Sequence, residues 1–197
     1  DVENGMRYET SLLEACRRQV PGDPVALLGL AVEALRVHDY KQAVTLARQS
    51  ISGREDLVAA HAILGRALLR AGRREELPAW QAGLPNIADE DPEVWAIRAD
   101  HLRRQQQPRA AARCYWEALK LHPDHRVANY QLAELLRDLE RDADAVPFRR
   151  RSSQLQELKE IDDLLVNAEG RNPIGLLQRK VRHLLEMGRA WEAWAWL

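Results

Sequence analysis

The chain has 197 residues, 46% apolar and 30% charged, a balance that suits a folded protein and excludes a disordered one. A net charge of −1 supplies no overall field toward nucleic acid or an anionic membrane, and ten glycines with a single phenylalanine argue against an all-β fold. The longest apolar run, 25–32, is too short to span a bilayer.

Residues 6–20 read as a helix with Leu12, Leu13, Cys16 and Val20 on one side. Asp23-Pro24 then signals a helix start: a carboxylate for the orphan N–H groups, and a proline where a missing N–H costs nothing. A helical hairpin follows over 24–55, turning at His38-Asp39. A second runs over 56–89, turning at Ala71-Gly72-Arg73. Its second helix is predicted to be weak, because Pro78 must lie in the first turn and Gly83 and Pro85 end it early. Asp91-Pro92 repeats the start signal. Val94, Ile97 and Leu102 then form an apolar stripe, Gln105–Gln107 break it, and Pro108 opens a partner helix carrying Ala111, Cys114, Tyr115, Ala118, Leu119 and Leu121. His122-Pro123-Asp124 stops it. The next hairpin turns near 140–142, and Pro147 is tolerable only in or next to a first helical turn.

Three columns tie these hairpins together. Ala43, Leu77, Ala111 and Ala145 lie 34 residues apart, as do Ala31, Gly65, Ala99 and Ala133, and Ala34, Leu68, Leu102 and Leu136. From Ala145 to its counterpart Ala193 is 48 residues, which is 34 plus 14, or about four additional helical turns. Nothing between Phe148 and Ala168 breaks a helix, and Leu155, Leu158, Ile161, Leu164 and Leu165 continue a stripe. The second helix of this hairpin is therefore predicted to be extended, over about 143–168 and ending near Glu169-Gly170. Asn172-Pro173 starts a last first helix, 174–187. Gly188-Arg189 turns it into a tryptophan-rich helix whose rings are predicted to pack in part on the extended helix.

The 34-residue interval, Leu64-Gly65, the His38–Ala43 turn, Trp95 and the Tyr115…Ala118-Leu119…Leu121…Pro123 run together resemble the tetratricopeptide repeat family. The resemblance implies an all-α, right-handed α-solenoid of stacked antiparallel helix pairs over 1–197 as a single domain. Its parts are 1–22 as a partial repeat or capping helix, repeats at 23–55, 56–90, 91–124 and 125–170, and a final truncated repeat at 171–197. The array is expected to begin inside a longer one. No signal peptide is visible, which favours the cytoplasm over secretion.

No catalytic constellation survives inspection. There is no glycine-rich phosphate loop, no GxSxG and no HExxH. His122 and His125 flank Pro123, which forbids the helix that would bring both rings to one metal, and Cys16 and Cys114 are too far apart for a CxxC site. Both cysteines lie on apolar faces and are predicted to be buried and reduced. No cofactor or metal is expected. Paired arginines such as Arg73-Arg74 and Arg103-Arg104 read as a solvated face interlaced with carboxylates.

The resemblance implies that the first helix of each repeat lines a concave surface for an extended peptide or partner. The columns facing it are then Leu28, Ala62, Ala96, Tyr130; Val32, Arg66, Asp100, Glu134; Leu35, Leu69, Arg103, Arg137; and Arg36, Arg70, Arg104, Asp138. The candidate contact residues are Arg66, Arg70, Asp100, Arg103, Arg104, Tyr130, Glu134 and Arg137. Arginine forks grip carboxylates bidentately, so the expected partner is an acidic protein segment rather than nucleic acid or membrane. Asp100 lies 34 residues beyond Arg66, so the two are also placed to neutralise each other. Leu28, Val32, Glu93 and Ile97 stand where the chaperone-tail subgroup carries its clamp, so no such clamp is predicted. The function expected is a non-catalytic interaction scaffold. Alternatives are the recognition arm of a larger enzyme, and self-association through the final tryptophan-rich helix.

Overall fold

Five of the hairpin turns among the described residues share one backbone conformation. In the computed structural model, which describes residues 10–167 and 173–197, positive φ angles between 58° and 76° occur at His38, Gly72, Gln106, Glu140 and Gly188. The first four are 34 residues apart and the fifth follows after 48. In each turn the next residue's N–H bonds a carbonyl five residues back: Asp39 to Ala34 at 2.8 Å, Arg73 to Leu68 at 3.0 Å, Gln107 to Leu102 at 3.1 Å, Arg141 to Leu136 at 2.8 Å and Arg189 to Leu184 at 2.8 Å. Such a bond satisfies a helix-end carbonyl and reverses the chain at a fixed angle.

The helices between these turns are α1 (Thr10–Gln19), α2 (Pro24–Arg36), α3 (Tyr40–Gly53), α4 (Val58–Ala71), α5 (Leu77–Ala82), α6 (Pro92–Arg104), α7 (Pro108–Leu121), α8 (Arg126–Asp138), α9 (Asp142–Val166), α10 (Ile174–Glu186) and α11 (Ala190–Ala195). Short 3-10 turns lie at Arg74–Glu76 and Asn86–Glu90, and no strand occurs among the described residues. The chain divides into two compact units, Asp1–His125 and Arg126–Leu197.

In the first unit α2 packs on α3 and α4, α4 packs on α6, and α6 pairs with α7. The predicted start signals operate as capping bonds. Asp23 Oδ1 accepts from Val25 N at 2.8 Å and Ala26 N at 2.9 Å, and Asp91 Oδ1 accepts from Val94 N at 3.0 Å. The repeating columns are where elements meet: Ala31, Ala99, Ala43 and Ala111 are fully buried, and Gly65 is buried with them. Gly65 is there for space. A Cβ on it would stand 2.6 Å from the Trp80 ring, whose Nε1 donates to the His61 carbonyl at 2.8 Å. As predicted, the second helix of this repeat is short: α5 has six residues, with Pro78 in its first turn and Gly83 just past its end.

The second unit is built on α9. It runs 25 residues without a break, close to the predicted extension, and pairs with both α8 and α10. Leu155 and Leu158 of α9 form a cluster with Val181, Leu184 and Met187 of the α10 hairpin and Ala193 of α11. Residues 168–170, where the sequence places the end of this helix, Asn172 of the next start signal and residues 6–9 of the first predicted helix lie outside the described residues.

Several local expectations are corrected. Pro147 is the exception, since it falls in the second turn of α9, next to the first as expected. The carbonyl that loses its partner there belongs to Ala143, which is exposed to water. Of the apolar side of α1 only Leu13 is buried. Leu12, Val20 and Cys16 are exposed, because α1 packs on α2 alone among its neighbours of substantial contact. Leu164 also faces solvent. Trp191 and Trp194 are 85% and 70% exposed and meet each other edge to face, rather than packing on α9. Trp196 lies under Lys180, with Nζ 3.6 Å from the ring centroid, while the same Nζ pairs with Asp162 at 2.7 Å.

Two substitutions test this architecture. Ala99→Leu is expected to overpack the α4–α6 contact and lower stability by roughly 1–3 kcal/mol in chemical denaturation. Gln106→Gly, which removes the Cβ from a left-handed turn, is expected to raise stability by about 0.5–1 kcal/mol, and Gly72→Ala to lower it by a similar amount. A Gln106→Gly midpoint at or below that of the parent would show that the turn is not where strain resides.

Candidate functional site

The first helices α2, α4 and α6 of the first unit carry the predicted contact columns, and at their centre stands Arg66 of α4. Its Nη2 lies 2.6 Å from Glu93 Oε2 and its Nη1 3.2 Å from Asp100 Oδ2, both on α6. Asp100 uses its other oxygen to accept from the Tyr115 hydroxyl of α7. Glu93 Oε1 stands 3.0 Å from His125 Nε2. Five polar side chains thus run from His125 through Glu93, Arg66 and Asp100 to Tyr115. The ionic members are nearly out of water, with side-chain exposures of 12% for Arg66, 16% for Glu93 and 14% for Asp100.

Charge states follow from these contacts. Burial pushes the Glu93 carboxyl upward, but the His125 hydrogen bond and the Arg66 charge outweigh it, and it falls from the ordinary 4.5 to about 2. Burial and the adjacent Asp100 carboxylate drive the Tyr115 hydroxyl well above its ordinary value, so it serves as a donor throughout the physiological range.

The other predicted residues are placed differently. Arg70, Arg103 and Arg104 are exposed at the C-terminal ends of α4 and α6 and form no ion pair with any described residue. Leu35 and Leu69, from the same columns, are buried in the core and offer nothing to a guest. Leu28 and Val32 of α2 are half-buried and face outward from the core cluster they pack against. In the second unit Tyr130 of α8 is 52% exposed, and Glu134 binds Arg137 one turn on at 2.6 Å. Arg66 and Asp100 are therefore joined to each other by the structure, while Arg70, Arg103 and Arg104 remain open.

Sequence reasoning missed Glu93 and His125 as members of the polar chain. A spacing signal existed for Glu93. It precedes Asp100 by seven residues, two helical turns, and so shares the face that meets Arg66. His125 carried none, because its role depends on where the turn after α7 returns. His122 and His125 lie edge to face with ring centroids 6.1 Å apart, and among the described residues no three His, Cys, Asp or Glu side chains gather as metal ligands would. No helix among the described residues is long and apolar enough to cross a membrane.

Residues 92–135 match the family model described as tetratricopeptide repeat. No curated protein sequence matches the chain significantly. Among solved structures it is similar to a protein described under "Functional Characterization of Pseudomonas Aeruginosa pilF", at 16% identity and a TM-score of 0.63, covering 93% of this chain and 78% of that one. It is also similar to "MamA 41-end from Desulfovibrio magneticus RS-1", at 16% identity and 0.58 over 75% and 84%, and to "Crystal structure of MamA", at 12% and 0.59 over 77% and 88%. At these identities the likeness concerns the fold, a tetratricopeptide-type helical solenoid.

The polar chain makes a pH test possible. Because folding lowers the Glu93 value, its contribution is complete above pH 4.5 and is lost as pH falls toward 2. Glu93→Gln is expected to flatten the fall in unfolding free energy across that window relative to the parent. Parallel acid profiles for the two proteins would show that Glu93 is not held as described.

Proposed function

We propose that the chain is a non-catalytic scaffold that holds an extended segment of a partner protein along the first helices of its repeats. The carrying observation is the pairing of surfaces on the first unit. Half-buried Leu28 and Val32 give an apolar floor on α2, while Arg70, Arg103 and Arg104 stand without ion pairs at the ends of α4 and α6. The repeat architecture supports this reading, since stacked hairpins make long modular surfaces. So does the resemblance to other tetratricopeptide proteins.

The internal pairing of Arg66 with Glu93 and Asp100 refines which residues face the guest. Arg66 and Asp100 shape the middle of the surface but present little charge to it. The contacts assigned to a partner are Arg70, Arg103 and Arg104, with Tyr130, Glu134 and Arg137 on α8 as further candidates. An apolar side chain followed by carboxylates is the segment such a surface selects.

Site-specific photocrosslinking tests the reading. A benzophenone side chain at Leu28 is expected to capture a partner segment, one at exposed Thr45 on α3 is not, and Arg70→Glu with Arg104→Glu should remove the Leu28 product. Equal capture from Thr45, or a product indifferent to the charge reversal, rejects the inner surface as the binding face.

A further inference from the structure

Electrostatics of the individual helices accounts for only part of one group of exposed cations in the first unit. Arg70, Arg103 and Arg104 lie in the last turns of α4 and α6, where the helix dipole favours positive charge. Lys41 and Arg109 do not. Each is the second residue of a second helix, α3 and α7, where the dipole disfavours a cation, and they stand 68 residues, two repeat lengths, apart. Arg74 opens the 3-10 turn before α5. All six are exposed and none forms an ion pair with a described residue.

These residues share one edge of the unit. First helices α2, α4 and α6 run in the same direction and pack on one another, so the turns that follow them, at His38, Gly72 and Gln106, are neighbours. The carboxylates on that edge are mostly engaged elsewhere. Glu33 pairs with Arg36, Asp39 caps α3, and Glu76 binds Arg48 and Arg73. Glu75 alone is left to face six free cations. The opposite edge, at the turns between repeats, carries Asp23, Glu55, Asp56, Asp89, Glu90 and Asp91, of which Asp23 and Asp91 cap helices and Asp56 and Asp89 pair with Arg54 and Arg98. The net charge of −1 thus hides a basic strip. The His101 imidazole, at the basic edge, is pushed below its ordinary value by burial and by the positive charge of Arg74.

We propose that this basic edge, carried by Lys41, Arg74 and Arg109 beside the inner-face arginines Arg70, Arg103 and Arg104, is a second binding surface that takes an acidic, extended protein segment. Packed helices stand about 8–10 Å apart, so three turns span about 16–20 Å, the length of about six extended residues. Guanidinium forks spaced along that line match carboxylates on alternate residues. Among the described residues His38, set against Tyr40, is the one exposed aromatic ring at these turns, and Val37 is the one large exposed aliphatic side chain, too little to form a stacking platform or to enter a lipid surface. The proposal rests on reading the chain as an interaction module but not on the inner face.

The probe is a fluorescein-labelled peptide of alternating glutamate and serine, about eight residues long, followed by anisotropy with the full chain. Its glutamine counterpart, a short DNA duplex and phosphatidylglycerol vesicles are run beside it. The glutamate peptide is expected to bind with an affinity that falls as salt rises, and the glutamine peptide to bind at least about tenfold more weakly. Arg74→Glu with Arg109→Glu, which touches no inner-face residue, should weaken binding by about tenfold or more, and the corresponding glutamine pair by less. Tyr130→Ala should leave it unchanged. Binding that survives the charge reversal overturns the proposal. Loss in Tyr130→Ala alone moves the acidic segment to the inner face and leaves that reading standing. Tighter binding of the duplex or the vesicles than of the peptide overturns the assignment to a protein segment. Peptide binding at the edge with no crosslink from Leu28 would sink the inner-face reading while leaving the edge intact.

Discussion

Everything in this structure hangs on the closure of the helical hairpins. One residue in the left-handed region and one N–H bonded five residues back fix the angle at which each second helix leaves its first. That angle decides which columns meet, so the alanines and Gly65 at close contacts are consequences of it as much as causes. The closure is made of backbone, which is why its residue varies among His, Gly, Gln, Glu and Gly without loss of the interval. The 14 additional residues of the second unit lie between two closures. Most of them lengthen α9, which has 25 residues against 14 in α3 and α7, about three turns more, so an insertion that would wreck a globular core is largely absorbed by a helix.

Such a scaffold is legible in sequence wherever the signal is local or periodic. The Asp-Pro starts, the early end of α5 and the length of α9 each follow from residues within a few turns of one another. What was not legible depends on contacts between elements. Leu12 and Val20 have the spacing of a buried face, but no described residue buries them, and periodicity describes a face without saying whether it has a partner. Cys16 is exposed for the same reason. Trp191 and Trp194 read as core by composition alone, while α11 turns only Ala193 inward. At the candidate surface, the partnership of Arg66 and Asp100 could be read from their interval. Glu93, two turns before Asp100, shared the same face, but His125 could not be joined to them without knowing how α6 and the turn after α7 come together.

The chain of polar residues from His125 to Tyr115 raises the question of why a stack of aliphatic columns would bury it. Net stability is a poor answer, since desolvating three ions offsets most of what their attraction returns. Register is a better one. Columns of alanine and leucine are nearly degenerate: one helix slid past another by a turn still meets apolar side chains. Arg66 is not degenerate in that way. Moved by one turn, it would lose Glu93, Asp100 or both and remain buried with its charge unmatched, a penalty far larger than any packing defect. Placed between the second and third repeats, the pair turns a permissive interface into a specific one, and Tyr115 extends the constraint to α7 through Asp100. The same pairing removes charge from the middle of the inner surface. It leaves the arginines at the helix ends, where no internal demand holds them, as the groups free to meet another molecule. Internal order and external readiness are then two results of one distribution of charge: cations that the fold needs are matched inside it, and those it does not need are gathered along an edge.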